Sequence, residues 1–278
     1  MNICSLGIIG MGAIGKALVT TLAREMAAPL ERVTVLVRPT GVAAAIADLR
    51  AAGAALAGRT DVVTNVGALL GARPNVVVEC AGHGALVAFG QTTLANGTEL
   101  IVVSVGALAD AALQDGLVDA AKRGKSRLLL TSGAIGGIDI VAAAKLSGIK
   151  SLTYTSRKPP AAWAGSPAER LIDLKTIKSA TTFYEGTARE AARDYPKNAN
   201  VAATLALAGP GLDLTRVQLI ADPHAAGNLH EFKLVSAATD VDMRILGRPS
   251  EDNPRTSATT AFSVARDVLN RTRAIAIG

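Results

Sequence analysis

The stretch Ile3-Cys-Ser-Leu-Gly-Ile-Ile-Gly-Met-Gly-Ala-Ile-Gly-Lys-Ala-Leu18 decides the fold class of this chain. It carries the pattern Gly-x-Gly-x-x-Gly at Gly10, Gly12 and Gly15, after an apolar strand-like run and before a helix-like run. In that context the first glycine permits a tight turn, the second lets a pyrophosphate approach the backbone, and the third lets helix and strand pack closely. The helix then presents free N–H groups and a positive dipole end to the phosphates, which predicts a dinucleotide site.

The end of the second predicted strand bears on which dinucleotide binds. Domains that prefer NAD usually end this strand with Asp or Glu, which holds the ribose 2′-hydroxyl. Here the strand Val33–Val37 runs into Arg38, Pro39 and Thr40. Arg38 is placed to face a 2′-phosphate and Thr40 to hydrogen-bond to it, so the sequence predicts that NADP is used at least as well as NAD. The alternative is that Arg38 is a solvated loop residue.

Composition favours an α/β protein with buried parallel strands. The 278 residues are 49% hydrophobic and 19% charged, but only 3% are aromatic, so aliphatic side chains must fill the core. The net charge of +6 comes without a dense basic cluster or interleaved aromatic residues. Nucleic acid is therefore not expected as a partner.

Cysteine usage and hydropathy predict a cytoplasmic protein. Cys4 and Cys80 fall in neighbouring predicted strands, where we expect buried structural thiols rather than a disulfide or a nucleophile. No Cys/His cluster indicates a metal site. Because glycines interrupt the first apolar run, we expect neither a signal peptide nor a membrane span.

The first half of the chain alternates strand and helix patterns, which predicts a doubly wound parallel sheet of the Rossmann type. The predicted strands are 3–9, 33–37, 75–80, 99–104 and 127–131, with 61–66 as a possible short addition. The predicted helices are 13–27, 42–52, 84–96, 110–123 and 138–147.

Beyond residue 148 the pattern changes to strands with one polar face, which indicates an α+β domain. The predicted strands are 151–156, 180–187, 217–221, 229–237 and 241–246, and the predicted helices are 166–178 and 198–208. A last helix within 256–273 is expected to pack back on the first domain. The predicted domains are therefore 1–132 with 254–278, which binds the dinucleotide, and 133–253, which binds substrate and forms a homodimer through its sheet.

Ligands of open parallel sheets bind beyond the carboxyl ends of the strands, and glycine-rich peptides fall at those ends here. The crevice between the two domains is the expected active site. The candidate cofactor residues are Gly10, Gly12, Ala13, Ile14, Gly15, Arg38, Cys80, Ala81, Ser104, Val105 and Gly106.

Hydride transfer also needs a group that handles a proton, and the chain has three histidines. His83 follows the third predicted strand and would line the cofactor site, whereas His224 lies in a turn and is expected on the surface. His230 begins a strand and shares one face of it with Asn228. The residues alone leave His230 open as either a catalytic group or a hydrogen-bonded strand residue.

Over nearly its whole length the chain resembles the L-aspartate dehydrogenase family. The matching stretches are 7–15, 104–108, 132–137, 158–160, 198–203, 221–223, 228–231 and 253–257. The glycine turn fits many families, whereas Ser-Gly-Ala-Ile-Gly-Gly, Asn-x-Asn-Val-Ala-Ala and Asn-x-His-Glu in this order are far more specific. The resemblance implies NAD(P)-dependent oxidative deamination of L-aspartate to iminosuccinate, which yields oxaloacetate and ammonia or feeds nicotinamide biosynthesis.

The resemblance also assigns roles to individual residues. His230 matches the active-site histidine of the family, and Ala134 and Asn200 match positions that bind the cofactor. A neutral imidazole near neutral pH can accept the proton of the substrate ammonium group, or polarise the water that attacks the imine. The family pattern differs here in that Asp222-Pro223-His224 places a second histidine nearby.

The two carboxylates of aspartate require cationic or multiple hydrogen-bond donors. Lys158 ranks first, because it follows the first strand of the second domain and the proline pair after it restricts the backbone. The alternative is a surface lysine in a rigid turn. The remaining candidates for substrate binding are Arg157, Asn228, Gly136, Gly137, Thr256 and Ser257.

Two other functions remain open at this point. The first is another two-domain reductase, of the homoserine dehydrogenase or dihydrodipicolinate reductase type, although their substrate motifs are not found here. The second is a non-catalytic NAD(P)-binding sensor, which would bind cofactor but turn over no amino acid.

Overall fold

A computed structural model describes residues 3–250 and 253–277 of the chain. The chain folds into two compact units. The first unit comprises Met1–Thr131 and Thr260–Gly278, and the second comprises Ser132–Thr259.

The first unit is built on a six-stranded sheet in which every pair of neighbouring strands is parallel. Its strands are β1 Ser5–Ile9, β2 Leu30–Leu36, β3 Ala57–Val63, β4 Val76–Glu79, β5 Glu99–Val102 and β6 Leu128–Leu130. The spatial order is β3-β2-β1-β4-β5-β6. This is the strand order of the doubly wound dinucleotide-binding fold, so the predicted fold class is confirmed.

The central strands β1 and β4 of this sheet are buried along their whole length, as expected for a parallel sheet that helices cover. The helices of the first half are α1 Ala13–Glu25, α2 Val42–Ala52, α3 Val66–Gly71, α4 His83–Ala95 and α5 Ala111–Gly124. Leu6, Ile8, Val33, Val35 and Val78 are completely buried in the resulting core.

The predicted return of the last helix to the first domain is confirmed. The second unit contains α6 Ile138–Ser147, α7 Ala188–Asp194 and α8 Asn200–Ala208, and the chain then ends with α9 Ala258–Leu269. Val264, Ala265, Val268 and Leu269 of α9 belong to the same apolar core as the strands of the first unit. Burial of this apolar stripe is what holds the helix there.

Helix α3 was not predicted, and the extra strand expected at 61–66 lies a few residues earlier, as β3. The chain leaves the strand before Asn65, whose side-chain oxygen accepts a hydrogen bond of 2.8 Å from the backbone N–H of Ala68. This amino-terminal cap satisfies one of the free donors of the first helical turn and starts a helix where the apolar run suggested a strand.

The second unit holds a mixed five-stranded sheet. Its strands are β7 Ile149–Lys158, β8 Thr181–Thr187, β9 Thr215–Ala221, β10 Asn228–Ser236 and β11 Asp240–Gly247, in the order β11-β10-β7-β9-β8. Strands β7 and β9 are parallel, while the other neighbours are antiparallel. A separate two-stranded ribbon pairs β12 Pro249–Ser250 with β13 Asn253–Ser257.

One face of this sheet is buried, as the alternation of polar and apolar residues predicted. On β7 the residues Leu152, Tyr154, Ser156 and Lys158 are buried, whereas the residues between them are half-buried. Lys158 is the last residue of the strand and pairs with Ala221 of β9, so it does not follow the strand as predicted. The buried row thus contains a lysine, a tyrosine and a serine in place of aliphatic side chains.

The helix predicted over 166–178 is wrong. Only Pro167–Arg170 forms a short 3₁₀ turn there. The Ser166 hydroxyl accepts a hydrogen bond from the N–H of Ala168, and the Asp173 carboxylate accepts one from the N–H of Lys175. Such local bonds from side chain to backbone compete with helical bonding and keep the segment irregular.

Helix α7 was also missed, although its start has a clear sequence signal. Thr187 and Glu190 form a capping box, in which the Thr187 hydroxyl accepts from the N–H of Glu190 and the Glu190 carboxylate accepts from the N–H of Thr187. The pattern Thr-x-x-Glu after a strand predicts such a helix start.

The prediction of burial is wrong for Cys4, which is exposed and lies 3.4 Å from the side-chain oxygen of Asn75. Cys80 is half-buried, and its thiol lies 3.3 Å from the carbonyl oxygen of Gly10. Neither cysteine forms a disulfide. Burial raises the pKa of the Cys80 thiol, and the charge of Glu79 raises it further, so this thiol stays protonated.

Within the described ranges, no helix combines the length and the apolar character that crossing a bilayer requires.

Candidate active site

The glycine turn between β1 and α1 is shaped as the motif predicts. Gly10 has a φ of +95°, and a Cβ atom there would lie 2.7 Å from Cβ of Ala81. A Cβ atom on Gly15 would lie 2.5 Å from the carbonyl oxygen of Gly10, so only glycine lets the helix pack this closely. A Cβ atom on Gly12 would meet nothing within 4 Å, which leaves open space directly above the backbone.

That open space lies at the amino end of α1. Gly12 is the capping residue, and no side chain caps the helix there. The first N–H groups of a helix have no partner within the helix, so an anion can accept their hydrogen bonds. Ala13 and Ile14 form the first turn and are half-buried. The residues therefore fit a dinucleotide phosphate at this position.

The other predicted cofactor residues of the first unit lie along the same edge of the sheet. Arg38 is exposed just beyond β2, at the start of a 3₁₀ turn that includes Thr40. Cys80 and Ala81 follow β4, and Ser104 follows β5. Val105 and Gly106 come next and are buried. The parallel topology thus brings these residues to one edge, beyond the carboxyl ends of four neighbouring strands.

Sequence reasoning overlooked Glu79, the last residue of β4. Its side chain has no exposed surface. Oε1 accepts hydrogen bonds from the N–H groups of Ala81 and Gly82, both at 2.8 Å, and from the Ser104 hydroxyl at 3.0 Å. Oε2 accepts one from the N–H of Ser104 at 3.1 Å. An acidic residue at the end of the apolar run Val76–Val78 was the available signal, because charges are rarely buried without partners.

In the second unit, His230 lies on the buried face of β10. Its side chain is 5% exposed, and Nδ1 is 2.7 Å from the hydroxyl of Tyr154 on β7. The two rings are within 15° of parallel. Burial lowers the pKa of His230 from its ordinary value of 6.5 to about 4, and the charge of Lys158 contributes to this. The imidazole is therefore neutral at physiological pH.

Lys158 lies on the same face, two residues beyond Ser156, which pairs across the sheet with His230. It is 8% exposed, its Nζ donates to Oδ1 of Asn198 at 2.7 Å, and it lies 4.8 Å from the ring centroid of Trp163. Burial lowers its pKa from 10.5 to about 8. Among the described side chains, no carboxylate lies within ion-pair distance of this ammonium group.

The glycine pair before α6 lies over the same region of the sheet. A Cβ atom on Gly136 would lie 3.5 Å from Cδ1 of Ile245, the residue that pairs with His230 on the neighbouring strand. Gly137 has a φ of +71°, and a Cβ atom on it would lie 2.7 Å from Cε of Met243. At Gly136 a Cβ atom would make an ordinary contact, whereas Gly137 favours glycine because its φ is rarely adopted by other residues and Met243 would have to shift.

Asn228 and Ser257 come together around Gly247. Asn228 pairs with Gly247, and a Cβ atom on Gly247 would lie 3.2 Å from Oγ of Ser257. The Ser257 hydroxyl is buried and has no hydrogen-bond partner among the described residues. An unsatisfied buried hydroxyl is costly unless a ligand supplies the partner. The side chain of Thr256, another predicted substrate residue, lies outside the described residues.

The remaining candidates are dispersed. Ala134 is buried in the turn that precedes α6, and Asn200 begins α8, two residues after Asn198. His83 is the half-buried first residue of α4. His224 is exposed, as predicted, and its Nε2 is 3.2 Å from the carbonyl oxygen of Lys178.

Arg157 does not join the buried row. Its NH1 donates to the Asp222 carboxylate at 3.1 Å on the other face of β7, and its Nε lies 3.7 Å from the Glu231 carboxylate. These ion pairs occupy the guanidinium group, so Arg157 is a weaker candidate than Lys158 for the substrate carboxylate.

Sequence reasoning also missed Tyr154 and the bond from Lys158 to Asn198. The alternation of Tyr154, Ser156 and Lys158 along one strand was the signal for the first, since these side chains share a face. No pattern near these residues in the sequence indicated that His230 and Asn198 would lie beside them. Within the described part of the chain, no group of three or more Cys, His, Asp or Glu side chains is arranged to hold a metal ion.

Two family models together cover most of the chain. Residues 10–131 match the model described as homoserine dehydrogenase, NAD binding domain. Residues 139–271 match the model described as aspartate dehydrogenase, C-terminal. The first match agrees with the glycine turn, and the second covers the strand that carries His230.

Relatives that match most of the chain agree with these models. The L-aspartate dehydrogenase of Cupriavidus taiwanensis is 45% identical over 97% of this chain and 98% of its own length. That of Ruegeria pomeroyi is 52% identical over 73% of this chain and 74% of its own. The crystal structure of aspartate dehydrogenase from Thermotoga maritima superposes with a TM-score of 0.72 at 26% identity, covering 99% of both chains. The chain belongs to the L-aspartate dehydrogenase family.

Proposed function

We propose that this protein catalyses the NAD(P)-dependent oxidative deamination of L-aspartate to iminosuccinate, and the reverse amination of oxaloacetate. The observation that carries the proposal is the placement of two buried side chains, His230 of β10 and Lys158 of β7, on one face of neighbouring strands. The relatives are named L-aspartate dehydrogenases, which indicates aspartate as the substrate. The chemistry of this face suits an amino acid with two carboxylates.

Lys158 is suited to bind a substrate carboxylate. A buried ammonium group without an acidic partner is unfavourable, and an incoming carboxylate would relieve that cost. The neutral Asn198 and the ring of Trp163 hold the ammonium group without neutralising it. The unsatisfied Ser257 hydroxyl and the Gly136–Gly137 backbone are candidates for additional hydrogen bonds to the carboxylates.

His230 is suited to move the proton. The substrate nitrogen must lose a proton before its lone pair can form the C=N bond, and a neutral imidazole can accept it. The charge of Lys158 contributes to the low pKa of His230, so a carboxylate bound to Lys158 would weaken this effect. We infer that substrate binding itself raises the basicity of the imidazole.

A bound nicotinamide cofactor would supply the acceptor for the hydride that leaves Cα of the amino acid. The first unit contributes the glycine turn, the amino end of α1 and the turns after β4 and β5, with candidate residues Gly12, Ala81 and Ser104. Ala134 and Asn200 of the second unit stay candidates through the family resemblance alone.

The experiment that tests the function follows the absorbance of the reduced nicotinamide in purified protein given oxaloacetate, with and without ammonium. Oxidation that requires ammonium is expected, and ammonium-independent oxidation would indicate a keto-acid reductase. A His230→Ala variant should bind cofactor normally and lose most turnover, whereas the exposed His224→Ala should match the parent. Near-normal turnover in His230→Ala would refute the role of His230.

We also propose a homodimer formed through the open face of the second sheet. On that face β10 and β11 present Glu231 and Arg244, and β7 presents Thr155, which are exposed or half-buried in the single chain. Sedimentation at several protein concentrations checks this, with a monomer at all of them as the contrary result.

A further inference from the structure

One buried carboxylate in the first unit connects two turns at the edge of the sheet where the cofactor is proposed to bind. Glu79 ends β4, and its two oxygens accept hydrogen bonds from the turn after β4 and from Ser104 after β5. The turn after β4 also touches the glycine turn after β1, since a Cβ atom on Gly10 would lie 2.7 Å from Cβ of Ala81.

Both side-chain oxygens of Glu79 must accept hydrogen bonds from their neighbours. Three of the four donors are backbone N–H groups, from Ala81, Gly82 and Ser104, and these cannot reverse their role. Only the Ser104 hydroxyl can either donate or accept. An amide in place of the carboxylate would set an NH₂ group against at least one of these N–H donors.

Charge gives a second reason for the arrangement. Burial raises the pKa of Glu79, and the hydrogen bonds from Gly82, Ala81 and Ser104 oppose that rise. The hydrogen bonds from the two turns thus stabilise the buried carboxylate, and the same bonds fix the backbone of the two turns. Gly82 has a φ of +102°, a backbone conformation that other residues rarely adopt, so the turn that donates to Glu79 favours glycine at this position.

We propose that Glu79 is a positioning residue for the cofactor: it fixes the turns after β4 and β5 against the glycine turn, so that the edge of the sheet is pre-shaped for the dinucleotide. Pre-shaping lowers the cost of ordering these turns when the ligand binds. The inference rests on the cofactor part of the proposed function and is independent of His230 and Lys158.

The test is the dissociation constant for NADH and NADPH, measured without substrate by titration calorimetry on the purified full chain. Glu79→Gln keeps the shape of the side chain and should weaken binding about tenfold or more, because it leaves a buried donor unpaired. At saturating cofactor and aspartate, kcat should stay within about threefold of the parent, since Glu79 is not proposed to touch reacting atoms.

The matched control is Glu99→Gln. Glu99 begins β5 and therefore lies at the opposite edge of the sheet from Glu79, which ends β4. It forms ion pairs with Arg127 and Arg271, so its replacement by glutamine also removes one carboxylate from this sheet. Its cofactor affinity should match that of the parent, even if its thermal stability falls. Amide hydrogen exchange at Ala81, Gly82 and Ser104 should accelerate in Glu79→Gln and stay unchanged in Glu99→Gln.

The outcomes separate cleanly. If the parent binds neither cofactor, the proposed function fails rather than this inference. If the parent binds and Glu79→Gln binds within about twofold of it, Glu79 does not position the cofactor. If Glu79→Gln does not fold, Glu79→Asp decides: it keeps the carboxylate but withdraws it by one methylene from the donors of Ala81, Gly82 and Ser104, and a loss of about threefold supports the proposal, whereas no loss overturns it.

Discussion

The hydroxyl of Tyr154 lies 2.7 Å from Nδ1 of His230, and both side chains are buried. Burial raises the pKa of Tyr154 above its ordinary range, so the phenol keeps its proton. If the phenol donates to Nδ1, the imidazole carries its proton on Nε2 and acts as a donor. If Nδ1–H donates to the phenol oxygen, Nε2 has a free lone pair and acts as a base. The base role proposed for His230 requires the second arrangement, in which the Tyr154 oxygen holds the proton on Nδ1 and the ring in place.

We expect Tyr154→Phe to lower kcat about tenfold with a smaller change in the KM for aspartate, because the tautomer and orientation of the imidazole are no longer held. Steady-state kinetics and the pH dependence of kcat measure this. Tyr184→Phe is the matched control, since the Tyr184 hydroxyl has no hydrogen-bond partner among the described residues. Equal kcat in the two variants would show that the Tyr154 hydroxyl is not needed.

Lys158 should make aspartate binding sensitive to pH. Its pKa is lowered to about 8, so the ammonium form is lost as the pH rises through that value, and the KM for aspartate should rise with it. A bound carboxylate would move the transition upward, because it stabilises the charged form.

Lys158→Ala should raise the KM for aspartate by at least about tenfold, as expected for loss of a charge-assisted contact. Lys158→Arg should keep a KM that is independent of pH, since guanidinium does not titrate in this range. The exposed Lys145→Ala is the control. A pH-dependent KM that persists in Lys158→Arg would assign the transition to another group.

His230 should also make the fold sensitive to acid. The unfolded chain takes up a proton at His230 near pH 6.5, whereas the folded protein resists protonation until about pH 4. Because the unfolded state binds more protons in this window, stability falls as the pH is lowered from 6.5 to 4.

A His230→Asn variant should therefore lose less stability than the parent over that window. Thermal unfolding of both proteins at a series of pH values measures the difference, with His224→Asn as the control on an exposed histidine. Parallel stability curves for His230→Asn and the parent would mean that the imidazole titrates normally in the folded protein.

Arg38 should set the cofactor preference. It is exposed at the end of β2, where a 2′-phosphate would meet its guanidinium group. Arg38→Asp should raise the KM for NADPH about tenfold or more and change that for NADH little, since only the former carries the phosphate. Arg50→Asp on α2 makes the same charge change at another exposed position. Unaltered selectivity in Arg38→Asp would identify Arg38 as a solvated loop residue.

Local patterns in the sequence were sufficient for much of the fold. The strand, glycine turn and helix at 3–25 depend on residues that are close in the chain, as does the alternation of strand and helix up to 131. The spacing of apolar residues in α9 likewise predicted an apolar face on this helix, although the spacing alone did not show which strands it covers. The helix expected at 166–178 failed because two side chains, Ser166 and Asp173, bond to the local backbone, and hydrophobic periodicity does not register such bonds.

The sequence by itself thus determined the fold class, the dinucleotide turn and, through resemblance, the importance of His230. Only the tertiary structure decided what surrounds these residues. The contacts from Tyr154 to His230, from Lys158 to Asn198 and from Glu79 to Ser104 span 76, 40 and 25 residues. Such contacts follow from strand order and register, which place distant side chains together and set their burial. Because burial decides the protonation of His230 and Lys158, the chemistry of these residues is a property of the folded chain.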